Sequence, residues 1–142
     1  MTYSIPHSNI EPFVATATLT TALIHSPTGR LDYMTFLGSL FPDAFLKGQR
    51  DAKVCSEILD SIFDHCVNNG LPILSALVSY EKSEKDEQEV DALIKAAKRN
   101  KIYIGIKGEE SFVDKIEAEA EEWINYQKTF LAKASSVTYL AF

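Results

Sequence analysis

One stretch constrains this chain more than any other. From Lys47 to Val78 it reads as a strongly amphipathic helix, a stop signal and a short apolar run. Val54, Cys55, Ile58, Leu59, Ile62, Phe63 and Cys66 recur at helical spacing, which makes an apolar stripe wide enough to face a core. Glu57, Asp60 and Asp64 fall on the opposite, wet face. Asn68, Asn69 and Gly70 end the helix, because Asn and Gly tolerate the left-handed backbone of a C-cap. Pro72 forbids a restart. Leu71 to Tyr80 is almost wholly apolar and short, so it is expected to be a strand covered on at least one face.

The front of this helix carries an unusual charge order. A helix N-terminus has partial positive charge and prefers acids nearby. Here Lys47, Gln49, Arg50 and Lys53 crowd the front, with Asp51 the single acid among them, and the other acids lie towards the back. Cations beside free backbone N–H groups suit a phosphate or an acidic side chain. The bland account of the same residues is a solvated surface, with Lys53 and Glu57 paired at i,i+4.

At 142 residues the chain is expected to be a single domain with a core that needs no staples. It divides into a first half (1–80), a charged loop (81–88) and a helix-strand-helix half (89–142). No apolar run reaches the roughly 20 residues of a membrane span, and no basic, then apolar, leader opens the chain, so a cytoplasmic location is expected, with no membrane partner. A net charge of −6 argues against general coating of nucleic acid and leaves room for a local basic patch. Cys55 and Cys66 lie eleven residues apart on one helix, roughly 16 Å. That is too far for a disulfide or a shared metal, and both are read as small buried hydrophobes.

Taken in order, residues 1 to 7 read as a loose arm. A helix starts near Ser8–Pro12, through a Ser8/Glu11 capping box or Pro12 in the first turn, with Phe13, Ala17, Thr20 and Ile24 on one face. Ser26-Pro27-Thr28-Gly29 is a turn, and Arg30 to Tyr33 a short strand entering a second helix with Met34, Leu37, Leu40 and Phe41 on its apolar face. Beyond the charged loop, Val90, Leu93, Ile94 and Ala97 mark a fourth helix whose acids come first and whose cations come last. Lys101 to Lys107 alternates as a strand would. A long last helix buries Phe112, Ile116, Ala120, Trp123, Ile124, Phe130 and Leu131, and Asp114, Glu117, Glu119, Glu121 and Glu122 make its outer side acidic. The apolar tail from Ser135 to Phe142 is expected to dock as a strand or packed coil.

Catalytic signatures are missing. The six glycines are scattered, and no CxxC, HExxH or GxSxG occurs. His7, His25 and His65 lie far apart, so no metal site and no cofactor are expected. The i,i+4 carboxylates Asp60/Asp64 and Glu117/Glu121 have the spacing of an ion or acid–base pair, yet such pairs usually belong to a solvated face. Cys66 and His65 are adjacent on a helix and point about 100° apart. No nucleophile has a base in reach, so the expectation is a protein that is not an enzyme.

Within residues 14 to 78, a helix is followed by Leu31-Asp32-Tyr33, then Phe36-Leu37-Gly38, then Ala52-Lys53-Val54-Cys55, then Gly70-Leu71-Pro72. This order resembles the winged-helix domain of the alkyltransferase-like DNA-repair proteins. In that family the recognition helix has an Arg-Ala-Val-Gly core, and an Ile-Pro-Cys-His-Arg strand follows. The Cys-His positions after Pro72 are Ile73 and Leu74 here, so alkyl transfer is excluded; the family's Arg two places before Val54 is Ala52, and no Gly-rich wing strand follows. The resemblance implies a winged-helix scaffold whose third helix would bring Lys47, Gln49, Arg50 and Lys53 to phosphates or base edges.

The expected fold is therefore α+β: about five helices with a small sheet from Leu71–Tyr80, Lys101–Lys107 and the two chain ends, the first half winged-helix or helix-turn-helix in character. Two functions compete. One is a non-catalytic module that contacts DNA or another acidic surface through Lys47, Gln49, Arg50 and Lys53. The other is an acidic interaction factor (an inhibitor, immunity protein or DNA mimic) that binds a basic protein through Asp114, Glu117, Glu119, Glu121 and Glu122. The Tyr126–Phe130 end of the last helix is a candidate homodimer contact.

Overall fold

The computed structural model describes residues 10–41, 48–79, 85, 87–103 and 108–141, with backbone alone at 48–52, 110 and 133–141. Its elements in order are α1 (Pro12–His25), β1 (Leu31–Asp32), α2 (Tyr33–Leu40), α3 (Gly48–Asn68), a 3-10 turn (Leu74–Leu77), β2 (Val78–Ser79), α4 (Glu87–Arg99) and α5 (Glu109–Ala141). Among the described residues the fold is α+β, with five α-helices and one two-stranded sheet. The expectations for residues 1–9, 42–47, 80–84, 86, 104–107 and 142 lie outside the described residues.

Helix α1 begins with Pro12 in its first turn, where a missing N–H costs nothing. Its buried face is Ala15, Thr16, Leu19 and Leu23, not the predicted Phe13 and Ala17; Phe13 stands 63% exposed. The buried Thr16 escapes a polar penalty because its hydroxyl donates to the Pro12 carbonyl at 2.7 Å. Gly29, at φ +74°, turns the chain into β1. Asp32 then caps α2, its carboxylate accepting from the Thr35 backbone N–H at 2.8 Å and from the Thr35 hydroxyl at 3.0 Å. Tyr33, Phe36 and Leu37 are the buried face of α2, and Met34 turns out to solvent.

The α3 stripe is as expected. Val54, Cys55, Ile58, Ile62, Phe63 and Cys66 are buried, and Leu59 packs at the edge. The helix ends in a Schellman closure: Leu71 N–H donates to the Cys66 carbonyl at 2.9 Å and Gly70 N–H to the Val67 carbonyl at 3.3 Å, with Gly70 at φ +66°.

The predicted Leu71–Tyr80 strand is corrected to a 3-10 turn followed by two strand residues. All four turn residues are buried, and the turn packs against α1, α3 and α5. Among the described residues the strand partner of this segment is Leu31–Asp32, two residues long. The turn instead satisfies amides locally, Ala76 N–H donating to the Ile73 carbonyl at 3.2 Å. The sheet is a parallel pair, Leu31 opposite Val78 and Asp32 opposite Ser79.

Two further expectations change. Lys101 does not open a strand; it closes α4. Ile102 N–H donates to the Ala97 carbonyl at 3.0 Å and Lys101 N–H to the Lys98 carbonyl at 3.1 Å, with Lys101 at φ 61°. The tail does not dock as a strand, because α5 continues to Ala141 over 33 residues. Its buried series is Val113, Ile116, Ala120 and Ile124. Trp123 is half-buried, whereas Phe130 and Leu131, expected inside, are 55% and 45% exposed.

Candidate functional site

Lys47 lies outside the described residues. Gln49, Arg50 and Lys53 all fall in the first two turns of α3. Spacings of three and four residues bring these positions to one side of the helix. Lys53 is exposed, and among the described residues it forms no hydrogen bond or ion pair, so the i,i+4 pair with Glu57 is not made.

The acids further along the same face have a different fate. Asp64 accepts from the Arg99 guanidinium at 2.7 Å and from the Asn100 side-chain amide at 2.7 Å. Hydrogen bonding to Asp64 leads the effects that raise the Arg99 pKa above its ordinary value, with partial burial opposing. Cys55 feels the charge of Glu89 early in α4, and Asp64 meets Arg99 at its end, so α3 and α4 run side by side in the same direction. The favourable order of charges along α4 therefore places its basic end against the acidic half of α3. The Asp60 pKa is raised above its ordinary value, chiefly because burial disfavours the charge; the charge of Arg99 opposes this, and Asp64 and Glu57 add repulsion.

On α5 the five predicted acids separate into two groups. Arg30 reaches across from the turn before β1. Its Nε donates to Glu121 at 2.8 Å and its Nη2 to Glu117 at 3.3 Å, with a further short contact between Nη2 and Glu121. Burial alone would lower the Arg30 pKa, but the Glu121 hydrogen bonds and the charges of both acids outweigh it and hold the pKa above its ordinary value. The Glu117 side chain is only 16% exposed, so it belongs to the fold rather than to an outer face. Glu119 lies 3.9 Å from Lys115, and Asp114 and Glu122 point to solvent.

The structure also shows a cavity that the sequence did not announce. It has a volume of about 190 Å³ and opens between α3, α4 and the turn-β2 segment. Cys55, Leu59, Asp60 and Phe63 come from α3, Glu89 and Leu93 from α4, and Ser75 and Ser79 from the segment between. Lys85 stands at its edge, donating to the Val78 carbonyl at 2.8 Å and to the Ser79 hydroxyl at 3.2 Å. Burial, with help from Glu89, pushes the Cys55 thiol up to about 12, so it stays protonated at neutral pH and is no nucleophile. No pattern in the sequence unites residues drawn from so many elements. Among the described residues no cluster of His, Cys, Asp and Glu is arranged to hold a metal ion, and no helix is long and apolar enough to cross a membrane.

No protein-family model, curated protein or solved structure matches this chain.

Proposed function

We propose that the protein is a non-catalytic binding module that contacts DNA or another acidic surface through the front of α3. One observation carries the reading. Lys53 is exposed without an ion pair among the described residues, on the side of α3 that also holds Gln49 and Arg50, whereas Asp64 on the same charged face is taken by α4. A cation with an internal partner needs no external one; Lys53 has none. The order of a short α2 followed by a longer α3 supports a helix-turn-helix use of that surface, and the winged-helix resemblance points the same way. The test is fluorescence anisotropy with labelled duplex DNA at two salt concentrations. Binding should weaken with salt and disappear in the Arg50→Ala/Lys53→Ala double variant. Absence of binding at low salt would sink the reading.

A second reading keeps the acidic face of α5 for a basic protein partner, and it rests on Asp114 and Glu122, which remain solvent-facing after Arg30 has taken Glu117 and Glu121. Asp114→Lys with Glu122→Lys should then abolish capture of a basic protein while leaving thermal stability unchanged. The stacked and exposed Tyr126 and Phe130, ring centroids 6.5 Å apart, are the surface we propose for a homodimer.

A further inference from the structure

We propose that the cavity between α3, α4 and the turn-β2 segment is a binding site for a small organic amine, a compact apolar body bearing one ammonium group. Size comes first. A cavity of about 150 Å³ is enough for benzene, so one of about 190 Å³ holds a ring with a short side arm.

The lining gives the ligand its character. Leu59, Phe63, Val78 and Leu93 offer an apolar bed, and an aromatic ring face attracts a cation as well as an apolar body. Polar groups also line the wall, Ser75 and Asp60 among them. Ser75 lines the cavity, is 3% exposed, and its Oγ has no hydrogen-bond partner among the described residues. A buried hydroxyl left unpaired is costly, and a ligand donor or acceptor would relieve it. Asp60 lies on the wall, half-buried, with no hydrogen bond or ion pair among the described residues. Its neighbour Asp64 has already taken the Arg99 guanidinium and the Asn100 amide.

Charge decides the class. Asp60 and Glu89 are both carboxylates, and the one lining cation among the described residues, Lys85, donates to the Val78 carbonyl and the Ser79 hydroxyl. An anionic ligand would meet two acids; a neutral one would leave Asp60 with the charge of Arg99 nearby but no direct ion-pair partner among the described residues. An ammonium placed at Asp60 supplies that direct partner, and burial makes such a hydrogen bond stronger than it is in water. The thiol of Cys55 serves only as apolar wall. This site is independent of the α3 front, because it uses the flank of the helix that faces α4.

The experiment uses the full chain and three probes of one shape: 2-phenylethylamine, 2-phenylethanol and 3-phenylpropionate. Titration calorimetry at neutral pH should show the amine binding at least about tenfold more tightly than the alcohol, with no binding of the carboxylate. In Asp60→Asn the amine should fall to the affinity of the alcohol, whose own binding should not change. Backbone amide shifts on adding the amine should centre on 55–63 and 92–93. Equal binding of amine and alcohol, or an undiminished amine in Asp60→Asn, would overturn the cation assignment. Failure of all three probes with the folded wild-type chain would overturn the site. If Asp60→Asn does not fold, Ser75→Ala serves in its place, and weaker amine binding there is the required result.

Discussion

Helices α3 and α5 both carry a charged face, and the two faces have been put to different uses. On α5 the acids that looked most like a binding surface include Glu117 and Glu121, which hold Arg30 and with it the turn that feeds β1. On α3, Asp64 is engaged by α4, whereas Lys53 has no ion pair among the described residues. Formal charge in a sequence is thus a poor guide to charge on offer. What matters is whether the fold supplies a counter-ion, and that depends on elements distant in sequence. The apolar sides differ in the same way. The stripe of α3 is buried from Val54 to Cys66, whereas on α5 the buried series among the described side chains runs from Val113 to Ile124, and Tyr126, Phe130 and Leu131 are exposed.

The sharpest way to break this contrast is to truncate one aromatic on each helix. Phe63→Ala should cost about 3–5 kcal/mol, since it opens a hole in a 1% exposed position. Phe130→Ala should stay within about 0.5 kcal/mol in urea unfolding of the monomer. Equal losses would mean that the end of α5 is covered after all. Next in size, Arg30→Ala should cost roughly 1–2 kcal/mol by leaving the mostly buried Glu117 without its partner. Asp64→Ala should cost about 1 kcal/mol, because both it and Arg99 are substantially exposed. Lys53→Ala should leave stability unchanged. A stability loss at Lys53 would erase the distinction between free and committed charges on α3.

A smaller effect, of opposite sign, is expected where α4 ends. Lys101→Gly should raise stability by about 0.5–1 kcal/mol, since a left-handed φ of 61° strains any residue with a Cβ. The smallest effect concerns Asp60. Its folded pKa is raised, so the native state binds a proton more readily than the unfolded chain does. Its contribution favours folding at low pH and is lost as pH rises from the ordinary aspartate range through the raised value. Asp60→Asn should therefore melt slightly higher than wild type at neutral pH, and the difference should close in acid. A gap that widens in acid would show that Arg99 dominates at this position.

Much of the architecture was legible along the chain because local chemistry decides it. The α3 stripe, its Gly70 closure, the turn at Gly29 and the short strand before α2 all follow from spacing and backbone freedom. The 3-10 turn was not legible. Leu71 to Tyr80 shows only that it is apolar, and burial alone does not separate an extended run from a tight one. Lys101 was misread because a non-glycine left-handed cap leaves no compositional mark. The site was less legible than the fold. Lys53 could be named in advance, but that Glu117 and Glu121 belong to Arg30, about ninety residues away, is a tertiary fact. So is the cavity, assembled from α2, α3, the central turn and α4.

The buried turn at Leu74–Leu77 has a consequence for how the molecule opens. It touches α1, α3 and α5 at once, so its amides meet water only when elements from both ends of the chain separate together. Deuterium uptake at Ala76 and Val78 should accordingly proceed at the rate of global unfolding. Those two amides are a built-in clock for the whole molecule: any ligand, on α3 or in the cavity, should slow them by the factor by which it favours the folded state.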